Sequence, residues 1–349
     1  MNEAPPEIIN SELNDNNIYI TLTNSNSLNG KTMQLEKLLM RYKNKMTINV
    51  FTETCLQVPL HEHFLGMKWE HALTDTNDRN AGVSICYHPA LGQHTVLETP
   101  EIIKNRLIAL KFTPPGKSPL IIVGLYVPAS YSDTDKGVFL MNCLSEVNHL
   151  KNTYANVIVA GDFNMLLLSE TKNMYHGYSK QSLNPERCPG MLQSWLDKSD
   201  FVHPFQLLRK FPNEKYLTFG MNNMAKGIDH FFVSKNLSSN VNALKISDFE
   251  FAGSRHKSVT ISVANLFDNP LGTKLNFRIP DLVWSSEKFK LNTEMRILKL
   301  TNDFSNLKYD QFIAETIVAA RKISKHLKCD IIEKLNSTID KNEIDSLKK

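Results

Sequence analysis

Residues 156–164 read NVIVAGDFN. The apolar run from Val157 to Ala160 suits a strand buried on both faces. Gly161 allows a sharp exit, and Asp162 and Asn164 project from the strand end. In extended backbone, residues two apart share a face, so a carboxylate and a carboxamide are expected to point into one space. The same letters also describe an Asp-Asn turn closing a strand, with no further role. The rest of the chain decides between the two.

Working outward, IYITLT (18–23), INVFTET (48–54), AGVSICYH (81–88), RLIALKF (106–112) and PLIIVGLYVP (119–128) read as strands upstream. Downstream, YLTF (216–219), IDHFFVS (228–234), ALKISDF (243–249) and SVTISV (258–263) complete a strand-rich half. Helices are expected at KTMQLEKLLMRYKNK (31–45), with Met33, Leu35, Leu38, Leu39 and Tyr42 on its apolar side, at GVFLMNCLSEVNHL (137–150), and within ERCPGMLQSWLDKSD (186–200). Strands alternating with helices and then dominating imply two packed sheets flanked by helices.

Several of these strands end in polar groups. Asn24 and Asn26 follow the first, and Glu53 closes the strand INVFTET. Tyr126 precedes Val-Pro, Asp229 and His230 open a strand facing opposite sides, and His256 stands just before another. Each has an ordinary structural explanation alone: a polar turn, a solvated strand end, a packed ring. Six strand ends carrying Asn24, Glu53, Tyr126, Asp162 with Asn164, Asp229 and His256 are together how a sheet sandwich builds an active-site rim.

That ordered series, NSNSLN, TET, YVP, GDFN, IDH and SRH, resembles the endonuclease/exonuclease/phosphatase superfamily with its DNase I-like fold, over residues 17–265. ITLTNSNSLN, TET, YVP after LIIVGL, and KYLTF (215–219) before IDH are most similar to the apurinic-type endonuclease domain of non-LTR (LINE-type) retrotransposons. The resemblance implies an α/β fold, a four-layer α/β/β/α sandwich of two mixed β-sheets, with a helical tail. It implies a Mg²⁺-dependent endonuclease, Mn²⁺ being a possible substitute, that nicks double-stranded DNA. Glu53 would hold the metal and Asn24 would orient that ligand and the phosphate. Asp162 would position or deprotonate the attacking water, and Asn164 would bind the phosphate. Tyr126 would donate to a phosphate oxygen, and Asp229 would keep His256 protonated against the scissile phosphate. Thr218 and Arg255 would touch DNA. The superfamily pattern at 254–256 is Ser-Asp-His, its Asp a metal ligand. Here Arg255 takes that place, which opposes a cation nearby but can neutralise a phosphate.

The bulk composition is compatible with this. The 349 residues are 42% hydrophobic and carry a formal net charge of +4, which permits a polyanionic partner without demanding one. Five scattered cysteines without a CxxC spacing suggest neither a zinc site nor a disulfide framework, and point to a reducing compartment. The polar, acidic start is not a signal peptide, and no apolar run spans a bilayer. An intracellular, nuclear, monomeric protein is expected, without membrane contact. Residues 1–16 read as a disordered lead-in. Beyond FDNPLGTK (267–274) the chain turns helical and Lys-rich, so 266–349 is expected to be a tail resembling the segment after a retrotransposon endonuclease, with the reverse transcriptase absent from this chain. Two alternatives stand beside the nuclease: a decayed, nucleic-acid-binding relative, and another phosphoesterase of the same superfamily.

Overall fold

The computed structural model describes residues 17–267, apart from 41–44, 61–63, 75–80, 115, 178–186, 222–223 and 252. The expected lead-in and tail lie outside the described residues. The strands, in chain order, are β1 (Asn17–Asn24), β2 (Met46–Thr52), β3 (Lys68–Ala72), β4 (Val83–Tyr87), β5 (His94–Leu97), β6 (Leu107–Phe112), β7 (Leu120–Tyr126) and β8 (Asn156–Asp162). They continue with β9 (Tyr175–His176), β10 (Phe201–Val202), β11 (Phe219–Met221), β12 (Met224–Lys226), β13 (Asp229–Ser234), β14 (Val241–Phe249) and β15 (Lys257–Ala264). The α-helices are α1 (Thr32–Met40), α2 (Asp133–Thr153), α3 (Arg187–Lys198) and α4 (Pro204–Leu208).

Two six-stranded mixed sheets, ordered β14-β15-β1-β2-β4-β3 and β10-β13-β8-β7-β6-β5, stack face to face. This is the expected α/β/β/α sandwich. Each sheet has a central parallel pair, β1 with β2 and β7 with β8, flanked by antiparallel neighbours. The core between the sheets is aliphatic: Ile18, Ile20, Leu22, Ile48 and Val50 from one, Leu110, Ile122 and Ile158 from the other. Helix α2 lies on β7 and β8, with α3 against it. Its Ser132 cap accepts from the Asp135 N–H, and Asp133 and Asp135 complement the positive helix end. A small third sheet, β11-β12-β9, stands beside the sandwich.

Among the elements the sequence predicts, three details differ. The second strand ends at Thr52, leaving Glu53 just beyond it. Tyr216–Thr218 lie outside the strands, and β11 begins only at Phe219. Met33 on α1 is 80% exposed, so the buried stripe is Leu35, Leu38 and Leu39; Tyr42 lies outside the described residues. Among the described residues no helix is long and apolar enough to cross a membrane.

Candidate active site

Strand register brings the polar groups together. Tyr126 pairs with Asp162 across the parallel ladder, and Asp162 pairs with Asp229 across the antiparallel one. Residues directly opposite share a face, and strands lie about 4.8 Å apart, so a hydroxyl and two carboxylates stand in a row at one end of the second sheet. The facing end of the first sheet supplies Asn24, the last residue of β1, and His256, immediately before β15.

Asp162 is fully buried. Its Oδ2 accepts from Asn24 Nδ2 at 2.8 Å and its Oδ1 from the Asn164 N–H at 2.9 Å. Asn164 is therefore not extended: it has φ of 51° and closes an Asx turn. Its amide reaches the Val127 carbonyl at 2.9 Å. The turn and the site are thus one object, and neither reading of GDFN excludes the other. Asn24 spends its carboxamide on Asp162 and on the Asn26 N–H, so these bonds orient Asp162 and not Glu53.

His256 Nδ1 lies 3.1 and 3.0 Å from the two Asp229 oxygens, while its Nε2 lies 3.9 Å from Asp162 Oδ2. Among the described residues, Asp162, Asp229 and His256 form the trio of His, Cys, Asp or Glu side chains whose donor atoms all lie within 4.8 Å of one another. Like charges directly opposite on a sheet repel, and the imidazole between them offsets this. The consequences appear in proton affinity. Burial, then Asp229, and then Glu53 push the Asp162 carboxyl well above the ordinary carboxylate range, against the pull of His256 and Asn24. Burial alone would lower His256, but Asp229, Asp162 and Glu53 outweigh it and hold the imidazolium up to about 9.

Glu53 is partly exposed and sits in the left-handed region at φ 49°. That conformation is strained for a residue with a Cβ. The Ser27 N–H holds its carbonyl at 2.7 Å and Ser25 Oγ at 3.2 Å. Burial, Glu53 and Asp162 raise the Tyr126 proton affinity, so this hydroxyl stays a donor.

Thr218 is fully buried. Its hydroxyl donates to Asp229 Oδ2 at 2.6 Å and accepts from the Ile228 and Asp229 N–H groups, both at 3.1 Å. These bonds position Asp229, and its place gives no surface for a DNA contact. Arg255 is exposed and outside the trio, its carbonyl accepting from Gly220 N–H at 3.0 Å.

Of Asp229 and His230, the first faces the site and the second the core. His230 Nε2 donates to the Met165 carbonyl at 2.8 Å, and its Nδ1 meets His203 Nε2 at 3.1 Å. Sequence reasoning missed Ser254. Its hydroxyl donates to the Asn24 carbonyl at 2.8 Å and accepts from the His256 N–H at 3.2 Å, tying the histidine loop to β1. A serine two residues before the histidine was the available signal. It also missed the Phe219 ring, 4.9 Å from the imidazole.

No protein-family model matches this sequence, and no curated protein matches it. Solved structures do. The AP endonuclease LMAP from Leishmania major is similar with a TM-score of 0.62 at 15% identity, over 75% of this chain and 93% of its own. The 3′ phosphatase NExo from Neisseria gives 0.59 at 17%, over 71% and 99%. The endonuclease domain of TRAS1, a telomere-specific non-LTR retrotransposon, gives 0.52 at 12%, over 71% and 98%. The chain shares the DNase I-like fold of these structures.

Proposed function

We propose that this chain is a divalent-cation-dependent endonuclease that hydrolyses phosphodiester bonds of double-stranded DNA, leaving 3′-hydroxyl ends, as in target-site nicking by non-LTR retrotransposons. The observation that carries the reading is Asp162: a buried carboxylate of raised proton affinity, aimed by Asn24 and the Asn164 N–H and facing an imidazolium 3.9 Å away.

A carboxylate of raised basicity suits proton removal from an attacking water near neutral pH. His256, held protonated by Asp229, supplies a charged N–H at Nε2 for a phosphate oxygen. The Tyr126 hydroxyl supplies a second donor. The donor set also fits a hard cation. Asp162 and Asp229 flank one imidazole with Glu53 within electrostatic reach, and this negative charge adds to burial in raising Asp162. Glu53, partly exposed, would hold Mg²⁺ or Mn²⁺. A cation bound there neutralises charge on the phosphate and the leaving oxygen. On this reading one chain carries every group named, so the protein acts as a monomer, on nuclear DNA.

The competing reading is a DNA-binding relative without turnover, favoured by Arg255 where a metal-binding carboxylate would stand. Nicking of supercoiled plasmid at millimolar Mg²⁺, with and without EDTA, separates the two. The nuclease gives EDTA-sensitive nicks whose ends a polymerase extends. Retention of plasmid without nicking would leave the binding protein.

A further inference from the structure

Behind Tyr126 lies a charge that the chemistry above does not use. Arg106 directly precedes β6 and is 5% exposed. Its guanidinium carbon lies 5.1 Å from the centroid of the Tyr126 ring and 5.5 Å from that of Tyr131, between one tyrosine at the site and another at the surface. The backbone fixes this arrangement from both sides. The Arg106 N–H donates to the Ile103 carbonyl at 2.9 Å, and the Arg106 carbonyl accepts from the Tyr126 N–H at 2.8 Å. The outer tyrosine is held in turn, its ring meeting Phe139 of α2 edge-on at 5.9 Å.

Burying a cation is costly, so a position that keeps one needs compensation. Here aromatic faces and the negative groups around Tyr126 supply it. Arginine is suited to this because its flat guanidinium stacks on rings while keeping its charge. A tyrosine at a strand end can swing about χ1. With the guanidinium beside its ring, the Tyr126 side chain is held at the strand end where its register partner is Asp162.

We propose that Arg106 is a positioning residue for Tyr126: stacked between Tyr126 and Tyr131, it holds the Tyr126 hydroxyl at the phosphate-binding rim. This rests on the nuclease reading for its kinetic consequence, but not for its geometry. The test is a double-mutant cycle in the nicking assay together with NMR of protein carrying ¹³Cζ-tyrosine, the Tyr126 signal being assigned by its loss in Tyr126→Phe. Arg106→Met should lower kcat about tenfold while leaving KM within about threefold. Arg106→Lys, which keeps the cation, should recover most of it. In the Tyr126→Phe background Arg106→Met should cost nothing further. The Tyr126 resonance should shift or broaden in Arg106→Met and return toward wild type in Arg106→Lys. Tyr131→Leu, at the partly exposed side of the stack, should move it too, and serves if Arg106→Met does not fold. Multiplicative losses in the double variant, or a Tyr126 signal unmoved by these changes, would overturn the proposal. A protein that never cleaves DNA but shows the spectral response would refute the nuclease reading and leave the positioning role standing.

Discussion

His256 sets how the site answers to pH. Its affinity is raised to about 9 against a free-histidine value of 6.5, so the folded protein binds the proton more tightly than the unfolded chain. The stability this confers is complete below about pH 6.5 and is lost as pH rises through about 9. On the proposed mechanism cleavage needs the imidazolium, so the rate should hold into the alkaline range and fall near pH 9. In Asp229→Asn the attracting charge is gone, and the fall should come roughly one pH unit or more lower. A pH–rate profile checks this, and an unmoved alkaline limb would assign it to another group. Arg255 gives a second residue-level prediction. It is exposed, so its charge acts through a screened field. Arg255→Asp should lower the Mg²⁺ concentration for half-maximal cleavage several-fold, the size of about 1 kcal/mol. An unchanged Mg²⁺ requirement would mean that Arg255 points away from the site.

At the scale of elements, the site depends on how closely β8 lies against β7. Gly161 is within β8, and a Cβ there would stand 2.4 Å from the Leu125 carbonyl oxygen. The glycine serves close strand approach, where the sequence suggested a sharp exit. Gly161→Ala should therefore cost about 2 kcal/mol and misplace Asp162, lowering both melting temperature and kcat. Normal activity with an unchanged melting temperature would contradict the register account. A second element-level device ties α4, β13 and the loop after β8. The Phe205 N–H donates to His203 Nδ1, His203 meets His230, and His230 donates to the Met165 carbonyl. Burial holds both imidazoles neutral, His230 down to about 4. Only the unfolded chain takes up protons between pH 6.5 and 4, so stability should fall as pH drops through that window, by on the order of 3 kcal/mol for His230. Urea unfolding of wild type and His230→Phe across that range measures it; equal acid slopes would exclude the pair as the cause. Such elements differ in how far the sequence discloses them. The central strands were legible because long apolar runs bounded by turns have few other readings. The short edge strand β3, KWEHA, was not, because its pairing with β4 is set by tertiary context and not by periodicity. The letters GDFN suggest an extended Asn164 where the chain forms an Asx turn, and the letters YLTF do not disclose that Thr218 is buried.

For the whole molecule, the motif order carried the most information. Asn24, Glu53, Tyr126, Asp162, Asp229 and His256 are spread over more than two hundred residues, yet two parallel strand pairs and their antiparallel neighbours return them to one end of the sandwich. All of them precede the composition shift at FDNPLGTK. Residues 1–266 should accordingly fold and melt cooperatively without the tail, and an insoluble or non-cooperatively melting truncation would move that boundary. RKISKHLK (321–328) should add only salt-sensitive, sequence-independent DNA affinity. The central claim is that the buried Asp162 carboxylate drives phosphodiester hydrolysis. It is tested most directly by single-turnover cleavage of a labelled DNA duplex by wild type and Asp162→Asn at saturating Mg²⁺. The account predicts a loss of about a thousandfold or more in the variant, with substrate binding and melting temperature nearly unchanged. Equal rates in the two proteins, or no cleavage by wild type above the variant's background, would contradict it.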